Sequence, residues 1–166
     1  MKFYTIITLQ ALLVGAQAGS KRNRIAGVWD LESASAITGN ETIHYLGDNP
    51  YGMLVFTDSG FFTVQINRGD LPRFPGEDIG SGTDEDIITV AQGTFGISGT
   101  YEVDENGDFR SQVVEGCSFP NSIGLYRDTS LLRFIVSACE STLQERIVET
   151  PDAYTENIWR RRAQLI

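Results

Sequence analysis

Two charged residues in the C-terminal half of the chain have a spacing that could serve acid–base chemistry. Residues 109–118 and 131–138 are rich in β-branched and aromatic residues, which predicts two strands. Alternation along the first strand places Glu115 and Ser111 on one face. In the second strand, alternation allows Arg133 to lie on the same side of the sheet. In a hairpin, Glu115 would lie beside Arg133 and could orient or protonate a bound oxygen. The alternative is a cross-strand ion pair that only stabilises the sheet.

His44 is a second acid–base candidate because it is the one histidine in the chain and histidine titrates near neutrality. Alternation places it on the face opposite Tyr45, so His44 lies on the outer surface if Tyr45 faces inward. A solvated surface histidine is therefore the alternative to a catalytic one. The phenols of Tyr45, Tyr51, Tyr101 and Tyr126 could hold a carbonyl or enol oxygen, or could belong to the core or rim.

The chain has few residues that could bind a metal or take part in redox chemistry. One histidine and two cysteines cannot assemble a His/Cys zinc site, and no motif for a metal or cofactor is present in the sequence. Cys117 and Cys139 form an even pair, which suggests one disulfide in an oxidising compartment. The predicted hairpin instead places them at opposite ends, beyond the ~7 Å limit between bridged Cα atoms. Both outcomes remain open from the sequence.

The elements that would position these side chains are short strands separated by turn signals. Turns are predicted at Asp58–Gly60 and Asn106–Gly107, among others, and this spacing indicates an antiparallel meander. The predicted strands cover residues 28–33, 41–46, 51–57, 61–67, 93–103, 109–118, 131–138, 143–149 and 154–161.

One segment departs from the strand pattern. Thr83 to Asp86 form a capping box with acids in the first turn, and apolar residues at helical spacing follow, which predicts a short helix over residues 83–92. A loop rich in Gly, Pro and Asp precedes it at residues 67–82. We expect residues 67–93 to cover one mouth of a barrel with Ile87 and Ile88 turned towards the opening; docking on an outer wall is the alternative.

The first 18 residues have the pattern of a secretory signal. Lys2 is followed by an apolar run and by Ala16-Gln17-Ala18, which predicts cleavage after Ala18 and a single domain over residues 19–166. The apolar run falls well below the ~20 residues that span a bilayer, so we expect no stable membrane insertion. Secretion, or residence in the secretory lumen, would make the sequon at Asn40 available for glycosylation.

Composition narrows the possible partners. The 166 residues carry a formal charge of −9, and such a field repels nucleic acid and anionic membranes. Because the chain is long enough for one hydrophobic core, it is expected to fold as one domain. Its oligomeric state cannot be read from the sequence.

Several sequence blocks carry a family resemblance across most of the chain. They are Gly27-Val28-Trp29-Asp30-Leu31, Tyr45 to Gly52, Leu54 to Phe61, Gly99 to Val103, Val114 to Asn121 and Trp159-Arg160-Arg161. In order and spacing they resemble the small lipocalin-like domain proteins of bacteria and filamentous fungi. The family often has a histidine where Ser111 and Gln112 stand, and an aromatic residue where Ser122 stands.

The resemblance implies an all-β fold, an antiparallel lipocalin-like barrel of about eight strands that encloses one small hydrophobic molecule. Trp29 would plug the closed end, with Arg160 or Arg161 stacked on its ring. The candidate ligand contacts, each of which could also be plain core, are Trp29, Tyr45, Tyr51, Phe56, Phe61, Tyr101 and Ser111.

Three functions fit the resemblance. The first is a cofactor-free cyclase or isomerase that folds a polyketide or terpenoid precursor of a fungal-type secondary metabolite, with Glu115, Arg133 and His44 as catalytic candidates. The second is a secreted, non-enzymatic carrier of a small hydrophobic ligand. The third is an interaction protein whose barrel is filled by its own side chains.

Overall fold

The computed structural model of the protein describes residues 22–163, so the predicted signal segment at residues 1–18 lies outside the described residues. Ten strands and one α-helix are present in the described part. The strands are β1 (Gly27–Thr38), β2 (Glu41–Ile43), β3 (Tyr51–Phe56), β4 (Phe61–Asn67), β5 (Thr94–Val103), β6 (Phe109–Cys117), β7 (Tyr126–Asp128), β8 (Leu132–Val136), β9 (Thr142–Thr150) and β10 (Ala153–Arg161). The helix is α1 (Asp84–Gly93), and short 3-10 turns lie at Ile79–Ser81 and Pro120–Ser122.

The strands form one antiparallel sheet in the order β7-β6-β5-β4-β3-β1-β10-β9-β8, with β2 paired to the far end of β1. Most neighbours in the sheet are neighbours in sequence, and β1 joins the two halves by pairing with both β3 and β10. The end strands β7 and β8 lie beside each other, which curls the sheet into a nearly closed barrel. The predicted all-β antiparallel barrel with one short helix is confirmed. Strand β7 was not predicted, since three residues are too few to show alternation.

Helix α1 begins where the capping box predicts. The Thr83 hydroxyl accepts from the Asp86 amide at 3.2 Å, and an Asp86 carboxylate oxygen accepts from the Thr83 amide at 3.0 Å. These bonds satisfy amides that have no partner within the helix. The helix ends at Gly93 and runs directly into β5.

Strand β6 contains two bulges, and they decide which of its side chains face the interior. At Arg110 and at Glu115 the register with β5 shifts, so that each is an extra residue on β6. A bulge shifts the inward alternation by one residue. Gln112 and Val114 are therefore buried, whereas Val113 and Glu115 are exposed.

One end of the barrel is closed by Trp29, which is fully buried. Its indole N–H donates to the carbonyl of Ile25 at 2.9 Å, and the guanidinium carbon of Arg161 lies 4.0 Å from its ring centroid. The predicted arginine–tryptophan stack is confirmed, with Arg161 as the arginine. Further aromatic side chains fill this end, where the Phe56 ring lies 4.8 Å from Tyr101 between centroids.

Candidate functional site

A cavity of about 320 Å³ lies inside the barrel. Its size is at the lower end of the range for small-molecule sites. Most of its wall is apolar and is formed by Ala36, Leu46, Leu54, Phe62, Val64, Ile66, Phe95, Ile97, Phe134, Ile147 and Trp159. The polar and remaining lining residues are Tyr45, Gln92, Gly93, Gln112, Arg127, Glu145, Thr155 and Asn157. An apolar wall with a few convergent polar groups suits a small, mostly hydrophobic molecule.

Glu145 is the centre of the polar cluster in this cavity. Its Oε2 accepts two hydrogen bonds, from Asn157 Nδ2 at 2.9 Å and from the Trp159 indole N–H at 3.0 Å. The Tyr45 hydroxyl donates in turn to Asn157 Oδ1 at 2.9 Å. The amide of Asn157 is thus held at both ends, and Glu145 is held by two donors. Glu145 Oε1 has no partner among the described residues and retains accessible surface.

Strand pairing explains how these groups meet. Asn157 on β10 lies directly opposite Glu145 on β9, so both side chains are on one face of the sheet. Trp159 is two residues beyond Asn157 on the same face. Alternation along β9 groups Glu145 with Leu143 and Ile147 on the inward face. Sequence reasoning missed Glu145, although a glutamate between inward aliphatic residues was a readable signal for a buried carboxyl group.

The surroundings of Glu145 raise its pKa above the ordinary value for a glutamate. Burial raises its pKa, and this effect outweighs the lowering by the hydrogen bonds from Asn157 and Trp159 and by the positive charge of Arg127. Burial, together with the charge of Glu145, raises the pKa of Tyr45 to about 12, against the lowering by its bond to Asn157. Tyr45 is therefore neutral at ordinary pH, and its proton is engaged by Asn157.

Two cavity residues come from strands on the other side of the β7–β8 seam. Arg127 on β7 and Gln112 on β6 are directly opposite each other in the sheet register. Gln112 is buried and Arg127 is half-buried. Neither side chain makes a hydrogen bond or ion pair within residues 22–163. The positive charge of Arg127 acts on Glu145 through space, without a direct contact between the two.

The predicted contact between Glu115 and Arg133 is wrong. The bulge at Arg110 reverses the alternation of the residues that follow it, so Glu115 lies on the outer surface, where its Oε1 accepts from the Thr100 hydroxyl at 3.3 Å. Arg133 is also exposed, because the inward residues of β8 are Leu132, Phe134 and Val136, and its Nε donates to the carbonyl of Thr129 at 2.9 Å. Neither residue lines the cavity.

His44 also lies outside the cavity. It is exposed, and its Nδ1 is 3.1 Å from the Ser35 hydroxyl. His44 faces outward while Tyr45 lines the cavity, as predicted, although both residues lie beyond the end of β2. The structure does not bring His44 to the polar cluster. Asn40 is exposed in the turn between β1 and β2.

Of the seven predicted ligand contacts, Tyr45 alone lines the cavity. Four others are buried without lining it, namely Trp29, Phe56 and Tyr101 near the closed end and Ser111 on β6. Tyr101 is held there because its hydroxyl donates to the Thr57 carbonyl at 2.5 Å and accepts from Asn23 at 2.7 Å. Ser111 instead donates to Glu102 at 3.4 Å.

The remaining two predicted contacts face outward. Phe61 is 54% exposed, and its neighbour Phe62 points into the cavity instead. Tyr51 is 58% exposed and borders a surface groove beside the loop that contains Leu71 and Pro72. Both residues lie on strands, where a one-residue difference in phase reverses the face that a side chain occupies.

The predicted lid differs from the structure. Within residues 67–93, Gln92 and Gly93 are the described residues that border the cavity. Ile87 and Ile88 are exposed by 42% and 55%, so the helix does not place its apolar face over the opening. The direct continuation of α1 into β5 brings the last helical turn, and not the apolar face, to the barrel.

Cys117 and Cys139 are both free thiols in the structure. Cys117 is half-buried at the end of β6, and Cys139 is exposed in the turn between β8 and β9. The disulfide is therefore not formed. In the described residues, no group of three or more His, Cys, Asp or Glu side chains is placed to hold a metal ion. None of the described helices is long and apolar enough to cross a membrane.

Fold and cavity together define a lipocalin-like β-barrel. The sequence matches the lipocalin-like domain family over residues 26–166, and the chain belongs to this family. A search of curated proteins found no match. Among solved structures, a crystal structure of a point mutant of the fluorescent protein UnaG aligns with 11% identity and a TM-score of 0.36. The alignment covers 85% of this chain and 98% of that chain, a likeness too weak to decide function.

Proposed function

We propose that the barrel binds a small, largely apolar molecule and acts on it as a cofactor-free cyclase or isomerase of fungal-type secondary metabolism, with a polyketide or terpenoid precursor as substrate. The observation that carries the proposal is Glu145, a carboxyl group inside an apolar cavity with a raised pKa. Perturbed acids in clefts are characteristic of catalytic sites.

The hydrogen bonds to Glu145 determine which of its two carboxyl oxygens carries the proton in the neutral acid. Because Oε2 accepts from both Asn157 and Trp159, the proton of the neutral acid resides on Oε1, which has no protein partner in the described chain. That oxygen is free to donate to a substrate in the cavity. Isomerisation and cyclisation need no added atoms, so the proton that Oε1 gives to one substrate atom is regained from another.

The other polar groups position Glu145. The Tyr45 proton is committed to Asn157, so Tyr45 fixes the amide orientation and does not donate to a ligand. The amide and the indole then hold the carboxyl in one rotamer, which lowers the entropy that the reaction must lose. The apolar walls supply the affinity.

A carrier function is the second candidate. The apolar wall alone would retain a hydrophobic ligand, and the hydrogen bonds within the cluster of Tyr45, Asn157, Trp159 and Glu145 could serve only to satisfy buried polar groups. In either case we propose secretion, supported by the signal pattern at residues 1–18 and by the accessible sequon at Asn40.

The test is turnover by the purified protein against a panel of polyketide and terpenoid precursors, with binding followed in parallel. We expect Glu145→Gln to reduce the rate of product formation at least about a hundredfold and to retain ligand binding. The glutamine amide has the shape of the carboxyl group but cannot act as an acid. Glu149→Gln, on the exposed end of the same strand, is the matched control. Binding without conversion by the wild type supports the carrier. Absence of binding contradicts both functions and favours the filled barrel.

A further inference from the structure

We propose that the cavity ligand carries a carboxylate, held by Arg127 and Gln112, and that these two residues select acids over neutral analogues. The inference rests on the proposed ligand-binding function and adds the chemical class of the ligand. It follows from the placement of two sets of hydrogen-bond donors that the described chain leaves without acceptors.

Arg127 and Gln112 form a paired donor surface. They are direct register partners on β7 and β6, so their side chains emerge side by side into the cavity wall. A guanidinium offers N–H donors in a planar fork, and a carboxamide adds two more. Residues 22–163 supply no hydrogen-bond acceptor to either side chain. A carboxylate has the planar, two-oxygen shape that matches such a fork.

The charge of Arg127 also has no ion-pair partner within residues 22–163. Glu145 is the acid that feels this charge, but the two side chains make no ion pair. Asp128, the next residue on β7, uses Oδ1 to accept from the amide and hydroxyl of Ser130. A cation beside an apolar cavity without a counter-ion is unfavourable, and a ligand carboxylate would remove that penalty.

The net charge of the protein makes acid selection a sharp test. A chain with a formal charge of −9 repels anions at long range. Any preference for an acid over a neutral molecule of the same shape must therefore come from a local cation in the site. With its carboxylate at Arg127, a ligand would extend its apolar body along the cavity towards Glu145.

The experiment is a competition assay with N-phenyl-1-naphthylamine, an uncharged fluorescent probe, as the reporter of cavity occupancy. It is displaced by 1-naphthoic acid or by 1-naphthalenemethanol, which share a ring system and differ in the carboxylate. We expect the wild type to prefer the acid by about tenfold at neutral pH. Arg127→Gln should abolish this preference, and Arg127→Lys should retain part of it because the charge remains and the fork is lost.

Arg110→Gln is the control. This substitution removes the same charge from the protein, at a residue that is exposed on the outer face of β6. Thermal denaturation of each variant verifies that it is folded. Equal affinity of the wild type for acid and alcohol overturns the inference and leaves the cavity function standing, as does an acid preference that persists in Arg127→Gln. If the folded wild type does not bind the reporter at all, the proposed function fails and the inference fails with it.

Discussion

Gly27 and Arg161 meet at the closed end of the barrel, where a Cβ atom on Gly27 would lie 2.7 Å from Arg161 Nη1. The φ angle of Gly27 is +136°, a conformation that other L-residues rarely adopt. The absence of a side chain at Gly27 thus makes room for the guanidinium over Trp29. The first residue of β1 and the last residue of β10 are coupled by this contact.

Gly27→Ala is therefore expected to lower the free energy of unfolding by about 2–3 kcal/mol, through backbone strain and displacement of Arg161. Chemical denaturation measures this loss. Gly39→Ala is the control, since Gly39 has a φ of +58° and no atom within 4 Å of an added Cβ. It should lose only about 1 kcal/mol. Equal losses at the two positions would show that the contact with Arg161 contributes nothing.

Arg161→Ala should destabilise the barrel by about 2–4 kcal/mol. Its guanidinium donates to three backbone carbonyls, those of Ala26 at 2.6 Å, Arg24 at 2.8 Å and Glu140 at 2.7 Å, and removal leaves them unpaired. Arg160→Ala is the matched control. It removes an exposed ion pair with Glu32, and a loss below about 1 kcal/mol is expected. A comparable loss for the two variants in thermal unfolding would contradict a closing role for Arg161.

Glu145→Gln should change how stability depends on pH. Burial raises the pKa of Glu145 in the folded state, so the folded chain binds this proton more tightly than the unfolded chain. The stability that the protonated group contributes is present below its ordinary value of 4.5 and is lost as pH rises through the folded pKa. The glutamine variant does not suffer this loss, and its Tm should rise relative to wild type from acidic to neutral pH.

The control for that titration is Glu149→Gln, which makes the same substitution at an exposed position of the same strand. The same pH dependence of the Tm difference in both variants, or none for Glu145→Gln, would contradict the prediction.

Glu115→Ala and Arg133→Ala should each alter the free energy of unfolding by less than about 0.5 kcal/mol, and should leave binding of the reporter unchanged. Both side chains are exposed and do not touch each other. A double-mutant cycle measures their coupling, which should be close to zero. A coupling of 1 kcal/mol or more would restore the cross-strand pair that the alternation of β6 predicted.

Cys139 should react faster than Cys117 with iodoacetamide at neutral pH. Hydrogen bonds from the hydroxyls of Ser141 and Ser137 lower the pKa of Cys139 to about 7, and the side chain is exposed, whereas Cys117 is half-buried. About half of Cys139 is then thiolate at neutrality, and we expect roughly tenfold faster alkylation than for an ordinary thiol. Ser141→Ala should move the midpoint of the rate–pH profile upward. A wild-type midpoint at the ordinary value of 9.0 would contradict the prediction.

Local chemistry made parts of the fold predictable. The capping box at Thr83 predicted the start of α1, because a helix N-terminus is stabilised by side chains within one turn. Residues 61–67 were predicted as a strand, and β4 has those bounds. The stack on Trp29 was expected from the family resemblance. In each case the deciding residues are close in sequence or belong to a recurring pattern.

The orientation of Glu115 and the composition of the polar cluster were decided by tertiary structure. The sequence alone determined that the chain forms an antiparallel meander and carries a net negative charge, since these follow from residue types and spacing. Where β6 bulges depends on its pairing with β5, and the extra residue at Arg110 reverses the side chains that follow it up to Glu115. Glu145 meets Asn157 only because β9 and β10 pair in one register. Strand register depends on contacts between segments that are far apart in the chain, so it cannot be predicted from any short stretch of sequence.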